Sequence, residues 1–283
     1  MNKLLGIIFF ALCAHLAAAQ ESENEFEKVE KSSRISYFNN YTSRLNFEGR
    51  DVTEPQYAIN NTFTYQNNNG LKAYFGLDYW SKFAPNGIAQ TTLGGAYEFK
   101  AGKQINGSIG YEHWFVNSTN DTLKNALTNY INTDWEADFD FIAAHASASY
   151  IFGTESAYNI ETGIHGLLEF DDIFKENQTD KISIAPDITL MSGTDVQFTT
   201  INTVVKIRKK NIINSKTSSN SVFGLLNTEL TLPVTYAQPR WSVTAAYHYA
   251  IPHSLGATDV VMPAFGYFVV GFNWHIFVLN SQP

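Results

Sequence analysis

GYFVVGFNWHIF, Gly266 to Phe277, is apolar enough to pass for a core strand or a short membrane helix, yet it carries Asn273 and His275. The two polar side chains share a parity with Tyr267 and Gly271, while Gly266, Phe268, Val270, Phe272, Trp274 and Ile276 share the other. A helix would scatter these residues around its circumference, whereas a strand sends alternate side chains to opposite faces. The stretch reads as a strand with an apolar solvent on one side and a polar one on the other.

The same period recurs upstream. Trp241, Val243, Ala245, Tyr247, Tyr249 and Ile251 alternate with Ser242, Thr244, Ala246 and His248. Ile105, Ile109, Tyr111 and Phe115 alternate with Asn106, Ser108 and Glu112, and Tyr158, Ile160, Ile164, Leu168 and Phe170 with Asn159, Glu161, His165 and Glu169. The pattern predicts about twelve strands, an even number. They fall near 33–47, 54–66, 71–80, 88–100, 103–116, 138–152, 157–170, 181–192, 196–208, 221–235, 240–251 and 263–278.

The 283 residues are 44% hydrophobic and 14% aromatic but only 16% charged, with a mean hydropathy of −0.18. That balance favours strands and turns and argues against a helical membrane protein. Residues 1–19 have the order of an export signal: Lys3, an apolar run from Leu4 to Leu12, then Ala17-Ala18-Ala19 as a cleavage site. Its removal takes away Cys13, the only cysteine, so no disulfide or thiol chemistry is expected. It also takes Lys3 and no acid, which deepens a net charge of −8 and sets the chain against nucleic acid as a partner. Residues 20–32 read as a flexible charged lead, and 33–283 as one domain.

The connections sort by length. Those at Asn67-Asn68-Asn69-Gly70, Ala101-Gly102, Gly153-Thr154-Glu155-Ser156, Ser192-Gly193-Thr194-Asp195 and Tyr236-Ala237-Gln238-Pro239 are short and have hairpin chemistry. Those at Ser81–Gly87, Asn117–Ala137, Asp171–Asp180, Lys209–Asn220 and Pro252–Met262 are longer and more polar. Alternation of this kind is expected of an all-β, closed antiparallel transmembrane β-barrel with tight turns at one end and long loops at the other. Closure also leaves no unpaired backbone edge in lipid.

Asn40-Tyr41 through Arg50-Asp51, then Thr53 and Pro55, and the hairpin from Tyr65 to Gly70 followed by Tyr74-Phe75-Gly76, resemble the opening of the TorF-like porins. Gly49-Arg50 stands where that family has Arg-Gly. The resemblance implies an exported outer-membrane barrel of the Bacteroidota type and supplies no catalytic residue or cofactor.

With the aromatic parity outward, Arg44, Lys72, Asp78, Glu98, Glu112, Asp140, Glu161, His165, Glu169, Asp187, Glu229, His248, Asn273 and His275 are expected to line the interior. The excess of acids points to a water-filled bore that passes small neutral or cationic solutes, because acidic rings concentrate cations. A closed barrel acting through its outer loops, as a surface binding or structural protein, is the alternative. The expected partners are outer-membrane lipid and lipopolysaccharide, which the basic run Lys206, Arg208, Lys209 and Lys210 could touch, and small solutes; the barrel is expected to be a monomer.

A lipid-acting hydrolase would have to use His253-Ser254 near Asp259, but adjacent residues do not present nucleophile and base to each other. No enzyme activity and no cofactor are expected. His145 and His165 with Glu161 and Glu169 invite a metal reading, yet steps of four along a strand lie about 13 Å apart. They cannot close on one ion without ligands from neighbouring strands, and no metal is expected.

Overall fold

The computed structural model describes residues 32–47, 50–51, 56–83, 87–102, 104–117, 127–174, 180–207, 210–255 and 262–279, with 46–47, 50–51, 195–207 and 210–220 described by backbone alone. The signal at 1–19 and all of the lead at 20–32 except Ser32 lie outside the described residues. In chain order the strands are β1 (Ser33–Thr42), β2 (Asn46–Phe47), β3 (Arg50–Asp51), β4 (Ala58–Gln66), β5 (Leu71–Trp80), β6 (Ile88–Ala101), β7 (Ile105–Val116), β8 (Asn129–Asp138), β9 (Ile142–Phe152), β10 (Ser156–Gly166), β11 (Leu168–Asp171), β12 (Lys181–Ile184), β13 (Asp187–Ile207), β14 (Lys210–Gln238), β15 (Trp241–Pro252) and β16 (Phe265–Leu279).

β11 continues β10 past Leu167, and β12 leads into β13 across Ala185-Pro186, each pair keeping one register with its neighbours. β2 and β3 form a separate small hairpin. The rest is a closed antiparallel barrel of 12 strands, shut by β1 against β16.

Carrying the pairing once round the barrel returns to β1 about 16 residues along the strand. With about 3.3 Å per residue and about 4.8 Å between strands, that offset tilts the strands by roughly 40°. A circular section then measures about 25 Å from backbone to backbone. The 11 residues of β9 rise by about 25 Å at this tilt, the height of the apolar band of a membrane barrel.

The outer face is mainly apolar. Leu93 is 56% exposed, Ile164 59% and Phe268 60%, in a continuous belt that no soluble monomer leaves in water. Rings gather towards both ends of it. Tyr41, Tyr57 and Tyr79 follow one another at 5.8 and 6.2 Å, and Tyr150 stacks on Tyr158 at 4.7 Å, at the end of the long loops. Phe99 meets Trp135 at 5.2 Å and Tyr236 meets Trp241 at 5.5 Å at the other end. β1 starts and β16 stops at this second end, beside the turns 67–70, 139–141 and 239–240. Gly70 closes the first turn with φ 87, and an added Cβ would run into the carbonyl oxygen of Glu98.

Several connections differ from the reading of the sequence. Residues 129–137, expected within the loop Asn117–Ala137, belong to β8, whose polar inner face made it look like a loop. The segments 181–192 and 196–208 belong to one strand, so Ser192–Asp195 is not a turn; the register slips there by a bulge at Met191/Ser192. Most of Lys209–Asn220 is the rising arm of β14 and not a loop. One strand gained and one merged leave the count unchanged. They also move Gly153–Ser156 to the long-loop end and Asp171–Asp180 to the short-turn end, so the two ends are less cleanly sorted than expected.

Candidate functional site

Among the described side chains, the face opposite the belt carries most of the strand-borne charge. Lys72, Asp78, Glu98, Glu112, Glu161, His165, Asp187, Glu229, His248, Asn273 and His275 all stand on it, and Glu169 stands on it below the last pairing of β9. Two expected members lie outside the strands. Asp140 occupies the exposed turn between β8 and β9 with φ 68, because that turn needs a residue that tolerates the left-handed region. Arg44 lies beyond the end of β1 at the long-loop mouth, its guanidinium carbon 4.5 Å from the ring centre of Phe265.

Several inner side chains lie along the wall, crossing a neighbouring strand where that strand has a glycine. Tyr74 on β5 faces Gly94 on β6, which faces Glu112 on β7. The ring therefore passes over the glycine, and its hydroxyl donates to Glu112 Oε1 at 2.9 Å. Trp114 Nε1 donates to the other oxygen at 2.7 Å, and its ring stacks on Tyr130 at 5.3 Å. Asn132 likewise sits over Gly110, and with Ser108 it donates to Asp134 Oδ2, both at 2.8 Å. Asn60 donates to Asp78.

Cations reach a few of the acids. Lys72 pairs with Glu98, which also accepts from Gln66 at 2.6 Å, and Arg34 donates to Gln66 at 2.8 Å. Lys181 pairs with Glu169 at 2.8 Å. Glu229 lies 2.8 Å from His248 Nδ1 and accepts from Tyr267 at 3.1 Å. Glu112, Asp78 and Asp134 are thus held by neutral donors, which fix a carboxylate in place without cancelling its charge. His275 Nδ1 lies 2.8 Å from the Ser36 hydroxyl.

A third arrangement joins β9, β10 and β13. His145 faces Gly163, and its ring crosses that glycine to bring Nε2 to 3.2 Å from Asp187 Oδ1. His165 pairs directly with Asp187, and the two imidazoles lie 5.9 Å apart. Thr189 donates to Asp187 Oδ2 at 2.8 Å. One potential ligand atom each from His145, His165 and Asp187 lies within 4.8 Å of the others. Glu161 and Glu169 are not in this group, but neighbouring strands supply partners that the sequence could not place.

No family model matches the chain, and no curated protein matches it. Among solved structures it is similar to the KdgM porin at 8% identity and a TM-score of 0.45, over 86% of this chain and 99% of that one. It is similar to the NanC porin at 13% and 0.46, over 85% and 98%. It is also similar to LpxR from Salmonella typhimurium at 6% and 0.44, over 86% and 100%. These likenesses are remote, and none transfers a residue role.

Several inner residues lay outside the expected lining, His145 among them as a residue weighed only as a metal ligand. Asp134 and Glu136 were hidden with β8, Arg34 sits at the very start of β1, and His145 stands out only once β9 is paired with β10. Of the hydrolase candidates, His253 Nε2 lies 3.1 Å from the Thr228 hydroxyl, and Ser254 is exposed. Asp259 lies outside the described residues.

Proposed function

We propose that the protein is an outer-membrane channel for the passive passage of small neutral or cationic solutes. The observation that carries this reading is a wide barrel in which the inner carboxylates Asp78, Glu112 and Asp134 are held against the wall by neutral donors. Side chains of about 6 Å reaching in from opposite walls of a section of about 25 Å leave a gap of roughly 12 Å, enough for hydrated ions and small sugars. Filling such a space with side chains, as in eight-stranded barrels, would require opposed residues to extend inward, whereas Tyr74, Asn132 and His145 lie flat over glycines. The export signal, the stretch resembling TorF-like porins and the apolar belt support the outer membrane as its place.

The test is the reversal potential across a salt gradient for the refolded protein in planar bilayers. It should have the sign of cation preference, and Glu112→Gln with Glu161→Gln should move it towards zero. An unchanged potential would remove these residues from the ion path.

One observation favours action through the outer surface as well. β13 and β14 pair out to Ile207↔Lys210, well past the last β15 partner of β14, Asn227↔Pro252, so this hairpin projects beyond its neighbours. Its basic tip would meet the phosphates of lipopolysaccharide. Loss of vesicle binding on neutralising Lys206 and Lys210, with conductance intact, would support that contact as an addition to transport.

A further inference from the structure

We propose that His145, His165 and Asp187 form a binding site for a first-row transition-metal dication, with zinc as the probe, on the inner wall of the barrel. Three adjacent strands each give one ligand, and their donor atoms lie within 4.8 Å of one another. Bonds of about 2.0–2.1 Å in a tetrahedron put ligand atoms about 3.4 Å apart. The His145 Nε2 to Asp187 Oδ1 distance of 3.2 Å already matches that edge. Rotation of the His165 ring closes the remainder.

Two features beyond the ligands shape the place. Gly163 lies under His145, and an added Cβ would collide with Nε2, so the ring reaches Asp187 only because this position has no side chain. Thr189 occupies Asp187 Oδ2 at 2.8 Å, which orients the carboxylate and leaves Oδ1 turned to His145. A hydroxyl or amide held behind a ligating group commonly fixes its orientation in this way. Two imidazoles and one carboxylate favour zinc, nickel or copper over calcium and magnesium, which take oxygen ligands in larger number. Three protein ligands leave a fourth position open to water or to a solute in the barrel. The site depends on strand pairing and not on ion passage, so zinc binding and conductance can fail separately.

The test is calorimetric titration of the untagged, chelator-stripped protein, refolded in detergent, with zinc chloride. One equivalent should bind. His145→Ala, His165→Ala and Asp187→Asn should each weaken binding by about tenfold or more. Gly163→Ala should weaken it comparably with all three ligands present, and Glu112→Gln should leave it unchanged. Heat-modifiable gel migration establishes that each variant is folded, and His165→Gln replaces any alanine variant that is not. No stoichiometric zinc uptake by the folded protein, or full affinity in folded His165 variants, would overturn the site. Calcium bound as tightly as zinc would also overturn it, since the acidic wall at large would then be the ligand.

Discussion

Replacing Gly94 with Ala is expected to destabilise the barrel through one side chain, Tyr74. A Cβ at position 94 would stand 2.5 Å from Tyr74 Cε2, 2.6 Å from Cζ and 2.8 Å from the hydroxyl. The ring must lift off the wall, and it loses its 2.9 Å bond to Glu112 as it does so. Overpacking of this kind costs about 1–3 kcal/mol, while Ala in a strand gains about 0.5–1 kcal/mol over Gly. The net cost should be about 1–2 kcal/mol. Once Tyr74→Ala has removed the ring, only the gain remains, so Gly94→Ala should then stabilise by about 0.5–1 kcal/mol. The coupling between the two positions is therefore about 2 kcal/mol, well above the scatter of additive pairs. Urea unfolding in lipid vesicles, followed by tryptophan fluorescence for the four members of the cycle, measures it. An equal cost of Gly94→Ala in both backgrounds would refute the wall-lying arrangement of Tyr74.

On the outer face, Asn61 Oδ1 accepts from Asn39 at 2.9 Å and from Tyr37 at 2.7 Å, so Asn61→Ala should cost about 1–3 kcal/mol by orphaning two donors in lipid. Replacing the group together, as Tyr37→Phe, Asn39→Leu and Asn61→Leu, should cost less than that single change in the same unfolding assay. At the turn, where Asp140 has φ 68, Asp140→Gly should be neutral or stabilising, whereas Asp140→Val should cost about 1–2 kcal/mol. Glu229→Ala strips the acceptor from His248 and from Tyr267, which is 7% exposed, and should lower stability by about 1–3 kcal/mol.

The closing strand was legible because its two faces differ so sharply: Phe268, Val270, Phe272 and Trp274 face outward, with Asn273 and His275 inward, and the pairing with β1 and β15 keeps that parity. Its only departure is at Ile276, where the register with β1 slips. β8 was not legible for the converse reason. Its outer face has Ile131 and Trp135 but also Asn129, Thr133 and Ala137, and its inner face carries Asp134, Glu136 and Asp138. A strand wetted on one side can be as polar as a loop on average.

The stretch Ser192–Asp195 misled through Gly193, which has turn chemistry. In the barrel it makes room for Asn159 and Leu226, so its small size serves packing within a strand. The constellations on the wall were out of reach altogether. Tyr74 and Glu112 are 38 residues apart, and His145 and Asp187 are 42, and only the registers of the intervening strands bring them together.

Single-channel recording of the refolded protein in a planar bilayer tests the central claim most directly. A folded, heat-modifiable barrel should give discrete conductance steps, carry cations in preference to anions, and pass neutral polymers only up to a diameter of about 12 Å. A folded barrel that inserts and shows no conductance would contradict the open interior and leave the projecting β13–β14 hairpin as the working part of the molecule.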